Sequence, residues 1–536
     1  MAKFRHKRIE TLLFFFSVFL IFLTACQPIL DLISEPETPP LSISVEQAGE
    51  VSRGSVPAGV SVSQALESLG IKYNTDDEIQ PALTTTLTKD TTIRITTVTF
   101  EEQTEERIIP YISQTVRNEN LPEGETFMIQ LGKNGRELVT TRSTFHDGLL
   151  VAQEESKRQV LEEAQPEIQM IGVKTGQSAV QIPGKLIYIT NGNAWLMQGS
   201  TSNRIPIVTS GDLDGRVLDL SSNGEWLMYS RKTHEDDINS LWMLHITDPQ
   251  AVPISLRVND VIRFAAWLPG ETLRFLYSTV TPRETAPGWS ANNDLRLRIV
   301  SETGMMMSNE VIIEPEEGPQ PYGWWGTDYL LSEDGRTVYY ADTVAIGEID
   351  RLTSERKPLL KIQPYEKAQS DWAWIPGFSL SPDESVLYFS YHGDIRGETP
   401  TFNPADFNIG RFNRAENTVM VLLSEAGIFS QPTVSPLFED GSYALAYLQS
   451  LNPNQSEGNR YRIMLTDENG SNNRAVFPLE SSESVIPQKL YWAPANKIRE
   501  SWIAFIHHGN IWLVNPFTGI YNQITIDQSI TTIIWE

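Results

Sequence analysis

The C-terminal two thirds of the chain carry the stretch Gly192-Asn193-Ala194-Trp195-Leu196-Met197 near their start and a near copy, Gly509-Asn510-Ile511-Trp512-Leu513-Val514, near their end. Each copy places a glycine turn before a run of β-forming residues. The chain then continues to a last strand-like run, Ile530 to Trp535. A sequence that returns to its opening motif predicts a closed ring of repeats, because closure leaves no unpaired strand edges.

Short turns rich in Ser, Asp, Pro and Gly recur between the two copies, each followed by a strand-like run. They lie at Ser221–Gly224, Trp267–Gly270, Ser332–Gly335, Ser381–Glu384, Phe438–Gly441 and Trp492–Ala495. Their spacing of roughly 40 to 65 residues is the period of four-stranded propeller blades. The repeats resemble those of TolB-like propellers, relatives of the WD-repeat. We therefore predict a mostly β chain whose residues 185–536 form a β-propeller of seven blades, with six as the alternative. Strand 530–535 is expected to complete the first blade.

Composition restricts the possible functions. The net charge is −26 and the pI is about 4.7, so the chain would repel phosphate backbones, and nucleic acid is not an expected partner. Cys26 is the only cysteine, which excludes an internal disulfide and a thiolate metal site in the globular part. We expect no cofactor and no metal.

The N-terminal residues 1–26 have the pattern of a targeting segment. A basic start precedes an apolar run from Leu12 to Ala25, which is short for a membrane span of about 20 residues. The run ends in Leu23-Thr24-Ala25-Cys26, which resembles the lipobox of bacterial lipoproteins. The resemblance implies lipid attachment at Cys26 and anchoring to the cell membrane, facing away from the cytoplasm. An uncleaved anchor and a simple signal peptide are the alternatives. Residues 27–40 contain four prolines and are predicted to be a tether.

Residues 41–91 are predicted to form a small domain. A strand at 41–45, a helix at 61–69 and a strand at 91–98 follow from the residue patterns, with Ser61 as a helix cap. This order resembles the small ubiquitin-like domain of unknown function found in resuscitation-promoting factors. The implied fold is β-grasp-like.

Residues 92–174 resemble the G-five domain, which is named for five glycines. Here these are Gly124, Gly132, Gly135, Gly148 and Gly172, within strings such as Asn120-Leu121-Pro122-Glu123-Gly124 and Phe145-His146-Asp147-Gly148. The residues indicate extended strands, with Lys133-Asn134-Gly135 and His146-Asp147-Gly148 as hairpin turns in which glycine supplies a positive φ. The resemblance implies an extended β-ribbon that binds N-acetylglucosamine-containing glycans such as peptidoglycan. We find no zinc-ligand set around His146.

Residues 175–184 are predicted to link this segment to the propeller. Within the propeller, the lengths of the loops favour one face as the functional one. The long insertions at 231–240, 281–294, 392–408 and 451–459 are expected between the second and third strands of their blades. That face would collect candidate ligand-binding residues, namely Trp289, Trp324, Trp372, His392, Asp394 and Arg396, together with Asp236, Asp237, His507 and His508. Trp324 and Trp372 are predicted to form one stacking platform for a sugar or peptide. Packing of each Trp around the central channel is the alternative.

Three classes of function remain open from sequence. The chain lacks a Gly-x-Ser-x-Gly elbow and a His-Glu-x-x-His motif, so we predict that it is not an enzyme. The preferred function is a membrane-anchored lipoprotein that binds glycan through the G-five segment and presents a propeller to glycan, peptide or protein. A glycan-active enzyme with its site on the long-loop face and a purely structural spacer are the alternatives.

Overall fold

A computed structural model describes residues 39–118, 121–173, 179–233, 237–270, 272–319, 321–365, 371–396, 403, 405–458, 460–480, 483–495 and 497–536. The predicted signal peptide with Cys26, most of the tether and Asp236 lie outside these residues. No helix of the described residues is long and apolar enough to cross a membrane. The chain divides into two compact units, Met1–Arg107 with Leu138–Gln159, and Ile108–Glu137 with Val160–Glu536. The division therefore runs through the predicted G-five segment.

The first unit begins with a four-stranded sheet and one helix. Its elements are β1 (Leu41–Gln47), β2 (Glu50–Val56), α1 (Val62–Ser68), β3 (Glu78–Gln80) and β4 (Thr91–Thr96). The strand order is β2-β1-β4-β3, with β1 parallel to β4. Ser61 caps the helix, because its hydroxyl accepts from the Gln64 N–H while the Gln64 side chain accepts from the Ser61 N–H. The ubiquitin-like identity of this domain stays a prediction.

Two three-stranded sheets follow in sequence. Their strands are β5 (Val98–Ile109), β6 (Ser113–Asn118), β7 (Thr126–Gln130), β8 (Gly135–His146), β9 (Leu149–Glu162) and β10 (Glu167–Gly172). One sheet has the order β5-β8-β9 and the other β6-β10-β7, in which β10 runs parallel to β6. Almost every residue of β9 is exposed, whereas alternate residues of β10 are buried. The extended ribbon predicted from the sequence is present.

Four of the five glycines serve one of two different purposes. Gly124 and Gly148 have positive φ values of 79° and 80°, as expected of turn glycines. Gly135 does not have a positive φ, so the prediction for Lys133-Asn134-Gly135 is wrong in this respect. A Cβ atom on Gly135 would overlap the backbone of residues 162–164, and one on Gly172 would overlap the Pro122 carbonyl. Close chain approach is therefore the reason for glycine at these two positions.

Among the described residues after β10, seven antiparallel sheets of three or four strands follow, and six of them are built from strands in chain order. The strands are β11 (Gln181–Thr190), β12 (Asn193–Val208), β13 (Leu213–Leu220), β14 (Trp226–Lys232), β15 (Asn239–His245), β16 (Ile254–Asn259), β17 (Phe264–Trp267), β18 (Arg274–Ser278), β19 (Val280–Pro282), β20 (Trp289–Ala291), β21 (Leu295–Val300), β22 (Met306–Ile313), β23 (Asp328–Leu331), β24 (Thr337–Ala341), β25 (Ala345–Asp350), β26 (Glu355–Lys361), β27 (Phe378–Leu380), β28 (Val386–His392), β29 (Phe407–Asn413), β30 (Thr418–Leu423), β31 (Thr433–Val434), β32 (Ala444–Ser450), β33 (Tyr461–Asp467), β34 (Arg474–Phe477), β35 (Tyr491–Trp492), β36 (Ile503–His507), β37 (Asn510–Val514), β38 (Tyr521–Gln523) and β39 (Ile530–Trp535). Short 3-10 turns lie at Gly323–Trp325, Pro453–Gln455 and Ile498–Glu500.

Sheets 2 to 7 each contain four strands, which are consecutive except in sheet 3, where the separate β19–β20 hairpin lies in sequence between the second and third strands. Sheet 1 has the order β12-β11-β39, so the last strand pairs with the first strand of this region. Backbone bonds between Lys185 and Glu536, at 2.6 and 3.0 Å, extend this pairing. Consecutive four-stranded sheets closed by the chain terminus are the architecture of a β-propeller. The mostly β fold predicted from the sequence is confirmed.

The repeated turns have a shared hydrogen-bonding pattern that explains their composition. The Ser332 hydroxyl donates to the Asp334 carboxylate at 2.7 Å and accepts from the Thr337 N–H at 2.9 Å. Ser381 makes the same two bonds, to Asp383 at 2.6 Å and from the Val386 N–H at 2.9 Å. The turn thereby fixes the start of the second strand in each sheet. These second strands are the most buried ones, and all seven residues of β28 are buried.

Candidate functional site

Antiparallel strand order places two sets of loops on one face of the propeller. These loops join the second to the third strand of a sheet, and the fourth strand to the first strand of the next sheet; we call this the long-loop face. The second-to-third connections are long at 233–238, 279–294, 393–406 and 451–460, in sheets 2, 3, 5 and 6. The prediction that the insertions lie between second and third strands is confirmed.

An aromatic cluster lies on this face at sheets 3 and 4. Trp289 is buried and its ring stacks on that of Trp325, with centroids 5.1 Å apart. Trp324 packs edge-on against Trp325 at 5.6 Å and against Tyr322 at 6.3 Å. The Arg263 guanidinium lies 5.6 Å from the Trp325 ring and donates to Asp328 at 2.6 Å. Trp325 is the centre of the cluster, although the candidates from sequence were its neighbours Trp289 and Trp324.

Trp324 and Trp372 do not form the predicted platform. Among the described residues, the ring neighbours of Trp324 are Tyr322 and Trp325, whereas Trp372 packs against Phe429 at 6.1 Å. Trp372 belongs to the apolar core that sheet 5 shares with its neighbours. The two indoles thus have different partners: Trp324 is half-buried beside Trp325, whereas Trp372 packs against the core of sheet 5.

His392 is a buried residue of sheet 5 and is not exposed on the face. Its ring stacks on Phe407 at 4.5 Å and meets the Tyr365 ring at 5.2 Å. Burial lowers the pKa of His392, so the ring is neutral at pH 7. The Tyr365 hydroxyl donates to Glu457 at 2.6 Å. Of the remaining candidates in this sheet, Asp394 is half-buried and Arg396 is exposed.

The other predicted polar residues of the face are separate from this group. Asp237 accepts from the Asn259 amide at 2.6 Å. The His507 and His508 rings are 4.0 Å apart, with His507 buried and His508 exposed. Burial lowers the pKa of His507. Within the described ranges, no three His, Cys, Asp or Glu side chains are grouped so that they could hold a metal ion.

Strands β6, β7 and β10 cover the long-loop face at sheets 1 and 2. Val116, Ile168 and Met170 belong to the same apolar core as Leu186 and Trp195 of sheet 1.

Polar contacts surround this core. The Asn193 amide donates to Gln114 at 2.7 Å, and the Gln130 amide donates to Thr209 at 3.2 Å. Arg231, at the end of β14, forms an ion pair with Glu163 at 2.9 Å. This part of the face is occupied by the chain itself. The alternation of apolar residues in 167–172 was the only sequence signal for it.

A polar cleft of about 290 Å³ lies on the β5-β8-β9 sheet of the first unit. Gln103, Glu105 and Arg107 alternate along β5 and therefore share one side of the sheet. Arg107 donates to Glu105 and to Glu155, both at 2.5 Å, and these hydrogen bonds raise the pKa of Arg107. The rest of the lining is Thr141, Gln153, Glu154 and Glu155. We call this site the ribbon cleft.

The ribbon cleft offers unused hydrogen-bonding groups. The side chains of Gln103, Gln153 and Thr141 make no hydrogen bond to another described residue. Side-chain amides and hydroxyls can each donate and accept hydrogen bonds. These three groups therefore match the hydroxyl and acetamido groups of a neutral sugar, which also donate and accept. No sequence pattern pointed directly to the cleft, because its residues come from three separate strands, β5, β8 and β9.

Comparison with known proteins identifies two parts of the chain. Residues 101–174 match the model of the G5 domain. The solved structure described as HP0197-G5 is 25% identical, with a TM-score of 0.13, and the match covers 14% of this chain and 97% of that one. TolB from Acinetobacter baumannii is 10% identical, with a TM-score of 0.33 and coverage of 69% and 95%. No curated protein matches the sequence. The chain thus combines a G5 domain with a β-propeller.

A further comparison corrects the prediction that the chain is not an enzyme. A solved structure of a prolyl endopeptidase is 12% identical, with a TM-score of 0.42; the match covers 65% of this chain and 49% of that one. The chain thus spans about half the length of that enzyme. The lack of two hydrolase motifs is no ground for excluding catalysis, and the prediction that the chain is not an enzyme is wrong.

Proposed function

We propose that the chain is an exported, lipid-anchored protein of the cell envelope that binds an uncharged N-acetylated glycan, such as the sugar strand of peptidoglycan, at the ribbon cleft of its G5 domain. The match of residues 101–174 to the G5 domain is the observation that carries this proposal. The ribbon cleft supplies a site within that segment. The propeller is presented on the same chain for a further glycan, peptide or protein partner.

The chemistry of the cleft favours a neutral ligand. Glu105, Glu154 and Glu155 line it beside a single cation, Arg107, which two of these carboxylates already engage. An anionic polymer would meet repulsion here as well as from the net charge of the chain. The free amides of Gln103 and Gln153, on the two outer strands of the sheet, can bond the acetamido and hydroxyl groups of an uncharged sugar.

The test is sedimentation of the full chain with purified peptidoglycan at low salt. The double variant Gln103→Ala, Gln153→Ala should bind roughly tenfold more weakly, because two hydrogen bonds of about 0.5–1.5 kcal/mol each are lost. A matched control is Thr104→Ala, Ser156→Ala, which removes uncharged polar groups from the other side of the same strands. The control should bind like the wild type. Equal binding by both variants, or no binding by the wild type, would remove the glycan role and leave the ribbon as a spacer.

Lipid anchoring requires its own test, because Cys26 lies outside the described residues. Cells that express the wild type should incorporate an acyl probe into the protein and retain the protein in the membrane fraction, since several acyl chains give stable attachment. Cys26→Ala should lose both the label and the retention. Labelling that persists in the variant would exclude the anchor at this position.

A further inference from the structure

A groove of about 400 Å³ lies between sheets 4 and 5 of the propeller, away from the contacts described above. Leu359, Leu360 and Lys361 of β26 form one side of it. Thr418 and Val419 of β30 and Phe412 of β29 form the other side, and Ile395 and Arg396 of the 393–406 loop complete it. Leu360 and Phe412 are buried and form an apolar floor that is part of the core of sheet 5.

The charged groups that line the groove are both cations. Lys361 and Arg396 are exposed, and neither forms an ion pair with a carboxylate among the described residues. Two unpaired cations beside an apolar floor are unexpected in a chain of net charge −26. The same two sheets carry a second cavity of about 320 Å³ at their first turns, and its charged lining consists of carboxylates alone, Glu333, Asp334, Asp383 and Glu384. Charge is therefore separated between two cavities of similar size.

An open strand edge borders the groove. Among the described strands, the order of sheet 5 ends at β30, so one side of this strand pairs with none of them. Thr418 and Val419 at its start line the groove, and the next residues, Met420 and Val421, are 52% and 47% exposed. An unpaired edge beside an apolar groove can accept an extended peptide by backbone hydrogen bonding.

We propose that this groove binds an extended peptide with apolar side chains and a free carboxyl terminus. The peptide backbone pairs with β30, its apolar side chains lie over Leu360 and Phe412, and its terminal carboxylate lies between Lys361 and Arg396. The edge strand thus matches the peptide backbone, the apolar floor matches the side chains, and the two cations match the terminal carboxylate. This site is independent of glycan binding at the ribbon cleft.

The test uses the full chain and two probes, N-acetyl-Val-Thr-Val-Leu with a free carboxylate and the same peptide with a C-terminal amide, each labelled for fluorescence anisotropy. The free acid should bind at least about tenfold more tightly than the amide, because charge-assisted hydrogen bonds are roughly twice as strong as neutral ones. The double variant Lys361→Gln, Arg396→Gln should abolish this difference. The control Asp334→Asn, Asp383→Asn, in the acidic cavity of the same sheets, should leave it unchanged.

Three outcomes would overturn the proposal. Equal affinity of the acid and the amide would exclude a carboxylate site, and a difference that survives in the Lys361 and Arg396 variant would place it elsewhere. Tighter binding of decanoate than of the peptide acid would assign the groove to a fatty acid and remove the strand-pairing role. A circular dichroism spectrum like that of the wild type at the assay temperature shows that each variant is folded, so that lost binding does not come from unfolding; all four substituted side chains are on the surface.

Discussion

The two halves of the G5 ribbon have opposite environments. The proximal half, strands β5, β8 and β9, is a single sheet in which almost every residue of β9 is exposed. The distal half, strands β6, β7 and β10, buries Ile168 and Met170 in the core of propeller sheet 1. One domain thus uses two sources of stability. The distal half depends on a surface that another part of the chain supplies, whereas the proximal half leaves its side chains free for a ligand.

The contacts of the proximal half are those of a sheet without a core. Its cross-strand contacts are polar or involve cations, such as Arg107 with Glu155 at 2.5 Å and the Arg142 guanidinium 3.7 Å above the Phe100 ring. Exposed ion pairs stabilise by less than about 1 kcal/mol each. Substitutions in the proximal half should therefore alter binding more than stability, and those in the distal half the reverse.

Deletion of Ile530 to Glu536 should have the largest effect. It removes the strand that pairs with β11 and the indole bond from Trp535 to the Pro183 carbonyl at 2.8 Å. It also uncovers the core that the distal half shares. The melting temperature should fall by roughly 10 °C or more, or the protein should aggregate. Glu536→Gln, which keeps the strand, should melt like the wild type. Unchanged melting of the truncated chain would show that the terminal strand does not hold the propeller closed.

A pair of valine substitutions compares the two halves directly. Val116→Ala in β6 removes apolar volume from a side chain that is 6% exposed, and it should lower the free energy of unfolding by about 2 kcal/mol. Val151→Ala in β9 removes the same groups from a side chain that is 52% exposed, and it should change stability by less than about 0.5 kcal/mol. Denaturant unfolding measures both. Similar losses at the two sites would contradict the difference between the halves.

A smaller change in folding stability, which depends on pH, is expected from a carboxyl group of the propeller. Asp219 is half-buried, and burial of its carboxyl group raises its pKa to about 7. The negative charge of Glu536 also raises this pKa, whereas the hydrogen bond from the Trp267 N–H and the positive charge of Lys489 lower it. A raised carboxyl pKa destabilises the folded state once the group ionises, so this penalty is present above pH 7 and disappears as the pH falls from 7 towards about 4.

Asp219→Asn should therefore raise the melting temperature at pH 8 and have little effect at pH 5. Asp383 gives a control of opposite sign, because hydrogen bonds from Ser381 and Ser385 lower its pKa. Asp383→Asn should lower the melting temperature at pH 8. A stabilisation by Asp219→Asn that is equal at both pH values would mean that ionisation is not its cause.

The parts of the fold that were predicted from sequence are those set by local chemistry. Ser332 and Asp334 make a turn within a few residues, and the repeated motif around Trp195 and Trp512 marks the two ends of the ring. The positive φ at Gly148 follows from the same local reasoning. The long-loop face was located from the lengths of the loops. In an antiparallel sheet, all loops between second and third strands lie on the same side, so long insertions at these positions mark one face.

The parts that could not be predicted depend on partners far away in the chain. Asn193 bonds Gln114, 79 residues earlier, and the alternation of apolar residues in 167–172 indicates a buried face without showing that sheets 1 and 2 bury it. Trp324 and Trp372 looked equivalent in sequence but pack against different rings. Gly135 looked like a turn residue, and its actual requirement is set by the chain at residues 162–164. Periodicity shows which residues are apolar and leaves open which surface buries them.

Hydrogen exchange of the full chain with and without an N-acetylglucosamine tetramer tests the central claim most directly. Amides of β6, β7 and β10 should exchange as slowly as those of sheet 1, because they open only with its core, whereas β5 and β9 should exchange faster. Added tetramer should slow exchange in β5 and β9 around Gln103 and Gln153 and leave the distal half unchanged. Fast exchange in β10, or protection by the tetramer only outside the ribbon cleft, would contradict the account.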